Sequence, residues 1–377
     1  MTTTTLAEAT MPGAEAEAEA DQLREVLEHY WEHDWTDGLP VVPVTEGYLA
    51  RFLATVERDP EEILFTITHL NRHLTVRLAA INAAMAGCRP EYFPVVLAAW
   101  EAIAKEPHPA RGIWQSTTGT APFLVVNGPV RGEIGLNSQG NIFGSGFRAN
   151  ATIGRAIRLG LINAFGLHPH KLDQATQGTP AKYSACIAEN EEQSPWAPLH
   201  TDYGFDASES VVTAYVIRSV MHIEARHTMD PEQLALDFVD TIRRTGSLIH
   251  EYTSALLVLV PEHADVFASA GWSKDDLRNF IFEHATRPRS ELVAVGKDAL
   301  SHKTRWRLSS DHPDSMPDTA AASDTPDTVR VLSHPTSIQI MVAGANNAGV
   351  SAVVEVFTLN PPRVQPFSYS RIGAAGH

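Results

Sequence analysis

The stretch APFLVVNGP, residues 121–129, is a short apolar run closed by the turn formers Asn127, Gly128 and Pro129. A run of that length bounded by turn residues predicts a buried strand. Downstream, a glycine-rich loop leads into ANATIGRAIRLGLINAFG, whose periodicity predicts a helix closing at Gly166. YSACIA and ESVVTAYVI read as further strands. From Pro231 to about Ser254 a helical pattern runs into the strand SALLVLV, which stops at Pro261. Ser273 is expected to cap the helix SKDDLRNFIFEHA, with Asp276 at the third position. TSIQIMVAGANNAGVSAVVEVF predicts strand, glycine-containing loop, then helix or strand. Strands alternating with helices indicate α/β architecture: a mixed or parallel sheet flanked by helices over residues 119–377. No internal repeat is visible.

Upstream, residues 21–118 read as a mainly helical N-terminal part, which could form one composite domain with the rest. Leu23, Val26, Leu27, Tyr30 and Trp31 have helical spacing from Asp21 to about Trp35. TDGLPVVPVT then forces an extended path, and Thr45 suits the N-cap of the next helix. Thr75 to Ala86 and PEYFPVVLAAWEAIAKE from Pro90 are the remaining helices. Residues 1–20 read as a disordered acidic tail, and 311–327 as a mobile insertion.

The chain has 377 residues, 44% of them hydrophobic, and a formal net charge of −16 from 45 acids against 29 bases. That balance argues against nucleic acid, which requires a basic face. No apolar run approaches the ~18 residues that span a bilayer, and no basic cluster suggests a membrane surface. The start lacks the basic and apolar parts of a signal peptide, so a cytoplasmic location is expected. Cys88 and Cys186 are the only cysteines. Neither lies in a CxxC pair, and a single bridge does not fit a reducing compartment.

Four segments carry candidate chemistry. GNIFGSGFRANATIGRAIRLG sets Gly140, Gly144 and Gly146 before a helix start, with Arg148, Asn150, Arg155 and Arg158 close by. Open backbone N–H groups and an arginine there suit a carboxylate or phosphate. It is neither a P-loop nor a Rossmann fingerprint. VLVPEHADVF ends a strand and presents Glu262 and His263, and an imidazole at such an end can move protons near neutral pH. VAGANNAG offers Asn346 and Asn347 as ligand-binding turn residues. CIAENEEQSPWAPLH gathers Cys186, Glu189, Glu191, Glu192, Trp196 and His200. Carboxylates held against Trp196 would have raised pKa values and could act as acids or bases. The same carboxylates disfavour a Cys186 thiolate. Each segment also has a purely structural reading: a flexible loop, a Pro-initiated helix, a tight turn, an acidic surface turn. For a metal, His69 and His73 are four apart and could share a helix face, and Glu189, His200 and His222 could converge in space.

DGLPVVPVT, INAAMAGCRPEYFPVVLAA, APFLVVNGP, GFRANATIGRAIRL, CIAENEEQSPWAPLH and VPEHADVFASAGWSK together resemble a bacterial family. Members of that family occur beside, or fused to, a small cysteine or selenocysteine domain named for its motif UGSC. The resemblance runs from about Trp35 onward and implies bacterial origin and a small thiol or selenol protein as partner. It implies no activity. Val44 stands where the family has proline, GANNAG replaces a loop containing two adjacent glycines, and ITHLNRHLTV departs from the family pattern. A UGSC domain is absent from this sequence, so redox chemistry would need a second polypeptide.

The sequence therefore supports an enzyme with one composite pocket. In it Arg148 and the glycine loop hold a small anionic substrate, and His263 with Glu189 or Glu191 moves protons in a lyase, hydratase or hydrolase reaction. Three other readings stay open: thiol redox or C–S/C–Se chemistry through Cys186, a divalent-metal enzyme with His and Glu ligands, and a non-catalytic subunit. A homodimer is expected on general grounds.

Overall fold

The computed structural model describes residues 14–105, 110–244, 253–295, 327–332, 334–357 and 367–373. Helix α1 (Ala14–Glu32) begins inside AEAEAEAD. Alanine and glutamate are strong helix formers, so residues 14–20, expected in the disordered tail, are helical. Thr45 caps α2 (Glu46–Leu53), its hydroxyl accepting from Tyr48 N at 3.2 Å. Next comes a hairpin that the sequence pattern does not show, β1 (Ile63–Ile67) against β2 (Arg72–Thr75). His69 and His73 therefore share no helix face. His73 pairs with Thr66 Oγ1 at 2.9 Å, and His69 sits in the turn beside Gln115. α3 (Val76–Met85), capped by Thr75, and α4 (Phe93–Lys105) follow as expected, then the single turn α5 (Ala110–Ile113).

Strand β3 (Ala121–Asn127) is buried at every position, as APFLVVN requires. It is followed by α6 (Val130–Glu133), α7 (Arg148–Phe165), β4 (Cys186–Ala188) and the 14-residue β5 (Val211–Glu224). β4 lies parallel to β3 on one side, and β5 antiparallel on the other. After α8 (Pro231–Ile242) the pattern recurs. β6 (Thr253–Leu259) leads through α9 (Pro261–Ser269) and α10 (Lys274–His284). A small pair follows, β7 (Thr286–Pro288) with β8 (Thr328–Arg330), with α11 (Arg289–Ala294) between them in sequence. Then β9 (Ile338–Val342) lies parallel to β6, and β10 (Val350–Phe357) antiparallel to it. β5 and β10 join the halves, giving the order β4-β3-β5-β10-β6-β9, and β11 (Phe367–Arg371) extends along β5. Each half thus has the order parallel partner, first strand, antiparallel return, with β5 and β10 adjacent at the centre. The absence of a visible repeat in sequence is corrected at this level. Topology repeats where side chains do not.

The expected sheet is mixed rather than parallel, and its helices cover one face. In the first half the outward Leu124, Val126, Cys186, Ala188, Val212 and Ala214 pack under α3, α4 and α7. In the second, Leu257, Leu259, Ile340 and Val342 pack under α8, α9 and α10. The N-terminal helices are therefore the outer layer of the same domain. The concave face fills itself with Phe123, Val125, Ile187, Tyr215, Leu256 and Met341. Curling brings the edge strands together at their carboxyl ends, where Asn190 N donates to Val342 O at 2.7 Å. Gly154 lets α7 lie this close, since a Cβ there would stand 2.6 Å from Ala185 N.

The helix expected from Pro231 to about Ser254 stops at Ile242, and Thr253 already belongs to β6. The segment VSAVVEVF is strand, not helix. The insertion expected at 311–327 lies, except for Asp327, outside the described residues. Among the described residues no helix is long and apolar enough to cross a membrane.

Candidate functional site

The four segments singled out in the sequence meet, and they meet around the turn that follows β9. Gly344 N donates to Ser138 O at 2.9 Å, joining the glycine loop to VAGANNAG. Asn190 of the acidic segment reaches the same turn, its Nδ2 donating to Gly344 O at 3.5 Å. From VPEHADVF, the Glu262 carboxylate accepts from Gly349 N. His263 is buried beside that glycine. Its Nε2 faces Ala225 O at 2.9 Å, and a carbonyl only accepts, so Nε2 carries the proton. Nδ1 then accepts from Ser351 Oγ at 2.7 Å, and Ser351 Oγ accepts from Val260 N at 3.0 Å. Burial holds the His263 pKa below its ordinary value. This Ser–His pair resembles a hydrolase dyad in its hydrogen bonds, but both members are sealed from solvent. The role expected for His263 in proton transfer is not supported by its surroundings.

The acids are committed in the same way. Glu189 is fully buried, with Oε2 accepting from Asn127 Nδ2 at 2.5 Å and Leu199 N at 2.8 Å, and Oε1 from Val342 N at 3.5 Å. Burial pushes its pKa up to about 7, against the pull of the Lys274 charge and these donors. Glu191 accepts from Gly128 N at 2.8 Å and, through Oε2, from Arg131 Nη2 at 2.8 Å. Arg131, unremarked in the sequence, also donates to Glu189 O at 2.6 Å and pairs with Glu192. Gly128 has φ +85° and backs onto the Glu209–Ser210 backbone, leaving no room for a side chain.

The remaining expected residues divide. Arg148 donates from Nε to Gly87 O at 2.9 Å and ties α7 to the turn after α3. Arg155 forks onto Asp37 at 2.8 Å through both Nε and Nη2, and Arg158 pairs with Asp173. Trp196 does not lie on the glutamates: it packs against the second-half core, and its Nε1 donates to Trp272 O at 3.1 Å. His200 is buried and donates from Nε2 to Asp206 O at 3.1 Å, so Glu189, His200 and His222 do not form a metal site. Among the described residues no three His, Cys, Asp or Glu side chains are grouped as metal ligands. Asn346 and Asn347 are exposed at the tip of their turn. The Cys186 thiol lies in the helix-side core, where burial pushes it up, as it pushes Cys88 up to about 12.

A cavity of about 690 Å³ opens elsewhere, between β5, the glycine loop, the first turn of α7 and residues 178–187. Of the expected residues Gly144, Asn150 and Cys186 line it, while Arg148, Glu189 and His263 do not. Asn150 is a clamp: it accepts from Asn137 N at 2.8 Å and donates to Asn137 O at 3.0 Å and Cys186 O at 3.2 Å. Gly146, at φ +127°, turns the loop into α7. The far wall comes from β5. Its ladder with β3 ends at Ile217, and the strand then continues with Arg218, Ser219, Val220 and His222 along the cavity. Arg218 lies 3.5 Å from Glu355, which also accepts from Ser219 Oγ at 2.8 Å and Arg244 Nη2 at 2.9 Å. The Phe143 ring stands 6.4 Å from that of His222 and 6.2 Å from that of Phe123. Arg218 and Ser219 are missed by motif reasoning, and His222 is weighed there only as a metal ligand. The available signal is the change within VVTAYVIRSVMHIE, whose apolar first half gives way to polar residues without a turn. Neither a protein-family model nor a curated protein matches the chain, so the functional reading rests on this geometry.

Proposed function

We propose that the protein is an enzyme that binds a small anionic substrate in the cavity beside β5 and moves protons through His222. The observation that carries this is the last part of β5, which sets the His222 imidazole beside Ile217 and Val220 on one wall of the cavity. The first turn of α7 forms another. Its N-cap Phe147 makes no side-chain cap bond, which leaves first-turn N–H groups for an anion. Those N–H groups would hold the negative group. His222, the wall's imidazole, would give or take the proton, and the Phe143 ring 6.4 Å from it would border the substrate. Lyase, hydratase and hydrolase reactions all fit one proton-transfer group and one anion clamp.

Thiol chemistry has less support, because the Cys186 sulfur faces the helix layer and burial disfavours its thiolate. A small thiol or selenol partner, and the UGSC-associated family itself, rest on the motif resemblance and are proposed on that basis alone. Turnover of a panel of hydroxy- and unsaturated carboxylates and carboxylic esters tests the main reading. His222→Gln is expected to lower it about 10²- to 10⁴-fold at unchanged melting temperature. Undiminished turnover removes His222 from the mechanism.

A further inference from the structure

We infer that the cavity beside β5 takes a flat aromatic ring, so that the substrate is an aryl-bearing compound rather than a sugar-like or aliphatic one. This rests on the reading of the same cavity as the substrate site. The rings on its wall are the first argument. His222, Phe143 and Phe123 form a row that runs from an exposed imidazole to a buried phenyl ring, with centroids 6.4 and 6.2 Å apart and planes tilted by 39° and 31°. Those spacings lie within the range of aromatic attraction. Phe143 nevertheless keeps 37% of its surface exposed, and Tyr183, also on the lining, keeps 55%. The loop that carries Phe143 is braced. Asn141 Nδ2 donates to Ser145 O at 2.7 Å, Gly144 N donates to Asn141 O at 2.9 Å, and a Cβ on Gly144 would overlap the Asn141 side chain. A ring held out on a braced loop can receive a second ring without first being ordered, which lowers the cost of binding.

The rest of the lining is the second argument. No lysine, aspartate or glutamate stands on the described lining. Its one arginine, Arg218, turns its guanidinium to the helix-side face of the sheet, 3.5 Å from Glu355 and over the Phe357 ring. Two of the polar side chains are already committed, Asn150 as the clamp on Asn137 and Cys186, and Ser184 through Oγ donating to Ala151 O at 2.7 Å. A polyhydroxylated body would bury hydroxyls against Ile142, Ile187, Ile217 and Val220 without partners, which is unfavourable. The volume of about 690 Å³ gives room for a ring and its substituents. An aromatic body needs few hydrogen bonds, and it gains from the ring row a contact that a saturated body of the same size does not.

The test is titration calorimetry on the full chain with two matched pairs and a polyol acid. The pairs are phenylpropionate with cyclohexylpropionate and phenylpropanol with cyclohexylpropanol, and the polyol acid is gluconate. The phenyl member of each pair is expected to bind about three- to tenfold more tightly than its saturated partner, although the saturated ring is the more apolar. Gluconate should bind at least about tenfold more weakly than phenylpropionate. These readouts need no variant. Phe143→Leu, which keeps an apolar side chain at an exposed position, should abolish the preference within each pair and leave the cyclohexyl affinities within about twofold. Cyclohexyl ligands or gluconate binding as tightly as the phenyl ligands overturns the inference. So does a phenyl preference that survives Phe143→Leu, or the absence of measurable binding by either phenyl ligand. The alcohols separate this inference from the anion reading of the site. A phenyl preference with carboxylates held no better than alcohols supports the ring and refutes the anion; carboxylates held better with no phenyl preference does the reverse.

Discussion

Ionising Glu189 should work against the fold, and the size of that effect follows from its surroundings. The carboxyl is fully buried at the seam where β4 meets β9, and its pKa rises from 4.5 to about 7. A carboxylic acid that binds its proton more tightly when folded contributes most below its unfolded pKa. That contribution is lost as pH rises toward the folded value. Full ionisation then costs roughly 3 kcal/mol, of which about 2.5 kcal/mol falls between about pH 5 and pH 8. His200 and His263 act in the opposite sense. Burial lowers their pKa values, so below the ordinary 6.5 the unfolded chain gains protons that the fold does not take up, and stability is lost as pH falls. The wild-type profile therefore mixes both signs. Comparison with Glu189→Gln isolates the carboxyl, because the histidines are common to both proteins. Urea unfolding across this range should show wild type losing about 2.5 kcal/mol relative to the variant as pH rises. Parallel profiles would refute the argument and mean that the donors and Lys274 hold Glu189 ionised throughout.

Other expectations concern parts of the same framework. His263→Ala should destabilise by about 2 kcal/mol by orphaning Ser351 and the Ala225 carbonyl, seen in unfolding curves. Native protein at neutral pH should resist iodoacetamide at Cys88 and Cys186, and both should label once unfolded; rapid native labelling followed by mass mapping would return thiol chemistry to consideration. Gly128→Ala should cost upwards of about 2 kcal/mol, measured as a lowered melting temperature, because φ +85° and the Glu209 backbone leave its Cβ no place.

The class of fold is legible because it depends on period and punctuation. β3 announces itself by seven apolar-to-Asn positions before Gly-Pro, Thr45 and Ser273 by capping chemistry, and α7 by spacing that ends at Gly166, φ +67°. Elements governed by long-range pairing are not legible. The β1–β2 hairpin does not announce itself as strands because only Phe65, Ile67 and Leu74 of it are buried. Residues 253–254 read as helix until their pairing with β10 is known. The pseudo-repeat escapes for a related reason. Pairing order survives while individual side chains adapt to different neighbours, α7 over β4 in one half and α10 over β9 in the other.

The strand-end residues singled out in the sequence share one structural role. Where two halves of a sheet close on each other, strand ends present N–H and C=O groups that no ladder satisfies. Side chains must supply the partners. Glu189 serves Leu199 N, Glu191 serves Gly128 N, Glu262 serves Gly349 N, and Ser351 serves Val260 N. A carboxylate or hydroxyl after a strand followed by glycines looks the same in sequence whether it caps a turn or attacks a substrate. The two differ in what lies beside them, since capping groups have every polar atom engaged and face no open volume. β5 shows the contrasting case. It outruns its partner β3 at Ile217, so its last seven residues have β10 on one side and the cavity on the other. An edge freed by unequal strand lengths exposes alternate side chains to a pocket. That makes RSVMHIE, a polar stretch inside an apparently ordinary strand, a stronger indicator of the cavity than any of the strand-end motifs.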